Sequence, residues 1–206
     1  MVIILIPCCK RKRQGGTPGY QPSSLADSLT ANTFDRLMQT RRELASLLGL
    51  LPGPDLGFTD KGNRPDFLPA YKRYTGVIYQ KGEIESLYQT FKGKLIIISA
   101  LYGLLDANDL IRYYELKMND NLKTKTRLST WWQRHGLRDI VEEYILAQGS
   151  PMVHDLLPDT YRNALKSWPL SGITSYCKYE YPGLYNASNF PRGDDIRKHL
   201  ISQEKG

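Results

Sequence analysis

The sequence predicts an α/β fold with a largely parallel central sheet flanked by helices, and three observations lead there. Two apolar runs, Val2 to Ile6 and Leu95 to Ser99, are too short for helices and suit buried strands, and Met152 to Leu157 reads as a third strand, ending at His154-Asp155. Segments with helical apolar spacing lie between them. Each run also stops abruptly in polar, glycine- or proline-containing sequence, as expected of strands that deliver functional groups at their carboxyl ends.

The first strand runs into Pro7-Cys8-Cys9-Lys10-Arg11-Lys12-Arg13, after which the glycines and prolines from Gln14 to Ser24 predict a loop. From Leu29 to Leu48 the residues Phe34, Leu37, Met38, Leu44, Ala45 and Leu48 share one helical face, with Ser28 or Thr30 as cap. Arg41 interrupts that apolar face, and Gly49, Pro52, Gly53 and Pro54 end the helix. Gly57 to Asp66 reads as a loop, and Phe67 to Gln80 sets Tyr71, Tyr74 and Tyr79 among Lys72 and Arg73. A short helix from Glu83 to Phe91 leads through Gly93 into the central strand. Leu128, Trp131, Trp132 and His135 make one helical stripe, and Ile140, Val141, Tyr144 and Ile145 make another, out of phase across Gly136, so the helix bends or breaks there. The strand from Met152 is followed by a helix from Asp159 to Lys166, a strand near Ile173 to Cys177, a tyrosine-rich turn and a helix from Asp194 to Ile201. These complete a single domain over residues 1–206, without internal repeats.

A chain of 206 residues buries enough apolar surface to fold without disulfides. Its cysteines, adjacent at Cys8-Cys9 and distant at Cys177, do not form a disulfide framework and suit a reducing cytoplasm. The basic run follows the apolar start, the reverse of a secretory signal, and no apolar run reaches membrane-spanning length. A net charge of +7 fits a polyanionic partner, because clustered Lys and Arg displace counterions from phosphates.

Ligands of open α/β sheets sit outside the carboxyl ends of the strands. That rule gathers Cys8, Cys9 and Lys10, then Ser99 to Gly103, then His154 and Asp155 into one expected cleft. Lys10, Arg11, Lys12 and Arg13, with Tyr71, Lys72, Arg73 and Tyr74, offer phosphate contacts beside faces for stacked bases; a solvated loop beside core tyrosines is the alternative. Arg41 needs an anion, either a carboxylate such as Asp155 or Glu115 or a ligand phosphate. Cys8 and Cys9 beside four cations are placed to form thiolates, as a nucleophile or a peroxide-sensitive switch, unless they are simply buried. Asp106, Glu115 and Asp155, near Tyr102, Tyr113 and Arg112, offer acid–base chemistry on a nucleoside or flipped base; alternatively Arg112 and Asp106 form an ion pair that fixes the turn. The histidines and cysteines lack zinc-site spacing, so no metal is expected, and no cofactor either.

The segment Ser99-Ala100-Leu101-Tyr102-Gly103-Leu104-Leu105, followed by Asp109-Leu110-Ile111 and Tyr114-Glu115-Leu116-Lys117-Met118, resembles the signature of the YaaA peroxide-stress family, S-G-L-Y-G-V-L, D-L-M and Y-R-L-E-M. Other matches follow in order: Leu29-Thr30, Leu37-Met38 and Leu44-Ala45; Pro65-Asp66-Phe67; Tyr74 to Tyr79 with F-x-G-D-V-Y; Leu128 and Trp132; Asp159-Thr160-Tyr161 with D-E-Y; and Pro191-Arg192-Gly193 with A-R-G. The resemblance implies a compact α/β fold with a positively charged cleft. It also implies a helix-hairpin-helix-like lobe over residues 28–66, with Leu50-Leu51-Pro52-Gly53 as its turn. The function it implies is binding of duplex or irregular DNA and limitation of oxidative DNA damage. On that reading Lys10 to Arg13, Arg41, Lys72, Arg73, Tyr74, Ser99, Tyr102 and Arg112 meet the nucleic acid. The chain departs from the family pattern at its first strand end, where Cys8-Cys9-Lys10-Arg11-Lys12 stands in place of S-P-A-K and looks more like a second group beginning C-x-K-R-K. It is also shortened at the carboxyl end. These departures leave open an enzyme acting on a nucleotide, nucleoside or modified base through Cys8, Cys9, Glu115 or Asp155.

Overall fold

The computed structural model describes residues 1–59, 65–166, 168–169 and 175–202. In chain order it contains β1 (Val2–Pro7), α1 (Ala31–Leu48), β2 (Phe67–Pro69), α2 (Ala70–Arg73), α3 (Val77–Lys81), α4 (Ile84–Leu87), β3 (Lys94–Ser99), β4 (Gly103–Asp106), β5 (Leu110–Arg112), α5 (Leu128–Arg134), α6 (Leu137–Ala147), β6 (Met152–Asp155), α7 (Asp159–Arg162), β7 (Tyr176–Lys178) and α8 (Asn189–Ser202). The apolar β1 lies at the centre of a five-stranded sheet of order β4-β3-β1-β6-β7, in which only β4 runs antiparallel to its neighbour. Ile3 to Ile6 and Leu95 to Ile98 are wholly buried, as strands covered by flanking helices must be. Helix α6 packs on α1 and α5, while α8 packs on α3 and α4. A separate antiparallel ribbon joins β2 to β5.

Local chemistry fixes the helix ends. The Thr30 hydroxyl accepts the Thr33 amide at 3.4 Å to start α1, and Gly49, left-handed at φ 66°, ends it. The expected break at Gly136 separates α5 from α6. The stretch after Ser99 is more than a turn: Gly103, at φ 69°, reverses the chain into β4 and stands opposite Ser99. Trp132 of α5 lies over this reversal, donating its indole N–H to the Ala100 carbonyl at 2.8 Å. The ring covers Gly103 so closely that a Cβ there would fall 2.6 Å from it.

The expected helix from Glu83 to Phe91 is confined to Ile84–Leu87. The last helix begins at Asn189 rather than Asp194, because Pro191 sits in its first turn, where a missing N–H leaves no bond unmade. Among the described residues of 28–66, the expected helix-hairpin-helix-like lobe is represented by α1 and a 3-10 turn at Pro54–Leu56, with no second α-helix. Residues 60–64 of the expected loop and 173–174 of the expected strand lie outside the described residues; the strand itself is present as β7.

The strand order places the site. The chain leaves β1 towards β3, on one side, whereas it leaves β6 towards β7, on the other. A crevice therefore opens between the carboxyl ends of β1 and β6. No helix among the described residues is long and apolar enough to cross a membrane.

Candidate functional site

The crevice is a cleft of about 370 Å³. Its walls are Pro7 to Lys10 at the end of β1, Val77 and Ile78 of α3, Pro158, Thr160 and Tyr161 beyond β6, Lys117 to Asn119, Tyr185 and Ser188 just before α8, and Asn189 and Arg192 in its first turn. Among the described residues three cations line it, Lys10, Lys117 and Arg192, and no carboxylate does. A second chamber of about 600 Å³ adjoins it, sharing Pro158, Thr160, Tyr185, Ser188 and Arg192, and there Asp159 and Glu180 appear in the wall.

Arg192 is 4 % exposed and held rigidly. Its Nη1 donates to Ser188 Oγ at 3.1 Å and to Asn189 Oδ1 at 3.4 Å, and its guanidinium lies 4.7 Å from the centre of the Tyr181 ring. Its Nε has no hydrogen-bond partner, and no ion pair joins it to a carboxylate among the described residues. Burial lowers its pKa from the ordinary arginine value. Gly193 lets α8 rest on α3, since a Cβ there would meet the Lys81 Cβ at 2.5 Å.

The turn after β3 is built differently. Ser99 is fully buried, accepts the amides of Leu101 (3.3 Å) and Tyr102 (3.1 Å), and lies 2.8 Å from the Tyr114 hydroxyl. The Tyr102 hydroxyl donates to Asp55 Oδ2 at 2.6 Å and accepts the Arg112 amide at 3.2 Å. Arg112 pairs with Asp55, its Nε 2.8 Å from Oδ2, and not with Asp106 as the sequence suggested. Asp55 lies in the 3-10 turn after α1, and no sequence pattern marks it as the partner.

Arg41 is equally committed. It is 1 % exposed, and its Nε and Nη2 donate to the carbonyls of Tyr102 (2.9 Å) and Leu104 (2.7 Å), so it finds neither Asp155 nor Glu115. Arg73, wholly buried, bonds the carbonyls of Arg13 (2.6 Å), Gly15 (2.8 Å), Asp66 (3.0 Å) and Ile111 (3.1 Å). Tyr74 offers no face to a base: it is 2 % exposed, with its hydroxyl 2.7 Å from that of Tyr114. These arginines and tyrosines are structural cross-links, because a buried cation or hydroxyl must be hydrogen-bonded.

The basic run after β1 is divided. Lys10 faces the cleft and Arg11 is exposed. Lys12 is buried, donates to the Cys9 carbonyl at 2.8 Å, and sits 3.8 Å from the centre of the Tyr114 ring; burial lowers its pKa. Arg13 points elsewhere, pairing with Glu85 at 2.6 Å on the rim of a different pocket lined by Tyr71, Tyr74 and Tyr79. Lys72 is half-buried, its Nζ 5.5 Å from the centre of the Tyr71 ring.

Cys8 and Cys9 both line the cleft. Cys8 is 3 % exposed, its sulfur 3.3 Å from the Tyr161 hydroxyl. Burial pushes the Cys9 thiol up to about 12, outweighing the nearby Lys12. Its Sγ accepts the Gly76 amide at 3.2 Å and donates to the Arg11 carbonyl at 3.0 Å.

Of the carboxylates, Asp155 is wholly buried and bound by Arg162 at 2.9 Å, by Tyr176 and by the Leu157 amide at 2.7 Å. Glu115 is exposed and accepts from Tyr113 at 2.6 Å. Neither lines the cleft. His154 also lies outside it, stacked 3.9 Å from His199, with the Tyr179 hydroxyl 2.7 Å from His199 Nε2. Among the described residues no three His, Cys, Asp or Glu side chains converge as a metal site would require. Of the three groups the strand-end rule gathers, only Cys8-Cys9-Lys10 lines this cleft; Ser99 to Gly103, His154 and Asp155 do not, and the opposite wall holds Lys117 and Arg192, which the sequence reading did not assign to a site. The only sequence trace of Arg192 was its place in Pro191-Arg192-Gly193.

The family model described as peroxide stress protein YaaA matches residues 2–186. A UPF0246 protein of Shewanella sp. (strain ANA-3) is 31% identical over 170 residues, covering 79% of this chain and 65% of its own length. One of Shewanella oneidensis is 30% identical over 174 residues, covering 81% and 66%. A third, of Rhizorhabdus wittichii, is 28% identical over 168 residues, covering 76% and 63%. The chain thus spans about two-thirds or less of the length of these curated relatives. Matched over nearly all of its length by the family model, the chain belongs to the YaaA peroxide stress protein family.

Proposed function

We propose that this chain serves the peroxide stress response by binding DNA across the cleft between the ends of β1 and β6. The observation that carries the reading is the lining of that cleft by Lys10, Lys117 and Arg192, with no carboxylate in the wall among the described residues. Such a surface attracts phosphates and releases their counterions. The cationic margin extends outward, since Arg11, Lys123, Lys125 and Arg127 are all exposed, the last three on the loop that continues from Lys117 to Asn119. Arg41, Arg73, Tyr74, Ser99, Tyr102 and Arg112 support the fold behind the surface rather than touching the ligand.

Binding to duplex and junction DNA, followed by fluorescence anisotropy across a salt series, tests this. Affinity is expected to fall steeply with salt, and Lys10→Gln and Lys117→Gln each to reduce the logarithmic slope by about one. Absence of DNA binding at low salt would overturn the reading.

A further inference from the structure

We infer that the cleft receives one unpaired nucleotide of a DNA strand, its phosphate on Arg192 and its base on Tyr185. The inference rests on the DNA reading above and deepens it. Tyr185 is 89 % exposed, far beyond what a large aromatic ring gains from folding, yet it stands in the walls of both the cleft and the adjoining chamber. An exposed ring at the mouth of a cationic cleft is a stacking platform for any base.

Below it, Arg192 is buried, held by Ser188 and Asn189 and stacked on Tyr181, with Nε unpartnered and no ion pair to a carboxylate among the described residues. A guanidinium fixed in this way is pre-organised for an oxyanion, and its rigid fork matches a phosphate. Ordinary structural arginines in this fold are satisfied by carboxylates or carbonyls, as Arg41 and Arg112 show. Among the described arginines that are buried, Arg192 alone has an unpartnered Nε; Arg42, only half-buried, shares that feature but lines no part of this cleft.

Size selects the form of the ligand. A cleft of about 370 Å³ is at the lower end of the roughly 300–1,000 Å³ that holds a single small molecule. A duplex does not enter it. One nucleotide turned out of its stack does, and the cost of turning it out is least where the nucleotide is already unpaired.

The test compares a fluorescein-labelled duplex with the same duplex carrying a single-nucleotide bulge, and with a free deoxynucleoside monophosphate as a separate titrant. The bulged probe is expected to bind about tenfold more tightly than the paired one, the order of one base stack. Tyr185→Ala and Arg192→Met are expected to remove that preference, while Tyr185→Phe keeps it. 2-Aminopurine placed in the bulge is expected to be quenched by the wild type and not by Tyr185→Ala. Equal, salt-dependent binding of both duplexes would overturn this inference and leave the general DNA reading standing, whereas binding of neither would overturn both. A monophosphate that binds as tightly as the bulged duplex would assign the cleft to free nucleotides and overturn the strand-borne reading.

Discussion

At the carboxyl end of β3, Arg41 and Arg112 direct their guanidinium groups to the carbonyls of Tyr102 and Leu104 and to the carboxylate of Asp55. Beyond β1 and β6, Arg192 is almost as deeply buried but has an unpartnered Nε and no ion pair to a carboxylate among the described residues. Both regions are rich in arginine and tyrosine, and from the sequence alone the β3 turn looked the more functional. The difference is one of internal satisfaction rather than residue type: a buried charge whose partners come from the protein has no need of a ligand, and on the proposed reading Arg192 is the one left to find an anion.

The contrast is sharpest in the effect of removing each arginine. Arg112→Met strands the Asp55 carboxylate in the interior and is expected to cost about 3–5 kcal/mol in urea unfolding. A loss below about 1 kcal/mol would mean that Asp55 is not held in the way described. Arg41→Met leaves two strand-end carbonyls unbonded, with about 2–3 kcal/mol of destabilisation expected in the same measurement. An unchanged unfolding midpoint together with lost DNA binding would instead make Arg41 a ligand group. Thiol labelling probes the cleft wall: with its pKa pushed up to about 12, Cys9 is expected to alkylate at least about tenfold more slowly than the exposed Cys177 at neutral pH. Equal rates would restore the case for a reactive thiolate. The smallest effect belongs to Arg192→Met, which strands no carboxylate and is expected to change stability by less than about 1 kcal/mol. A loss as large as that of Arg112→Met would erase the distinction between the two regions.

Much of the fold was legible because burial writes simple patterns. The runs at β1, β3 and β6, the face of α1 and the phase shift at Gly136 each follow from periodicity and glycine alone. β4 was not legible, since four residues carry no periodicity and its existence depends on the reversal at Gly103. The early start of α8 was hidden by Pro191, which reads as a breaker anywhere except a first turn. The cleft was legible as a place, through the strand-end rule, but not as a set of residues. Arg112 has its partner 57 positions away in a loop, and Arg192 is set apart only by partners it lacks. Neither fact leaves a mark in a single sequence.

The contact between Trp132 and Gly103 has a consequence for how this chain can change over generations. With the indole ring 2.6 Å from where any Cβ at 103 would stand, and its N–H bonded to Ala100, neither position is free to vary alone. A larger residue at 103 is tolerated only after the tryptophan has been lost, and that loss uncovers the hairpin and frees a buried carbonyl. The two positions therefore drift as one heritable unit, and members of the family that lack the glycine are expected to lack the tryptophan as well.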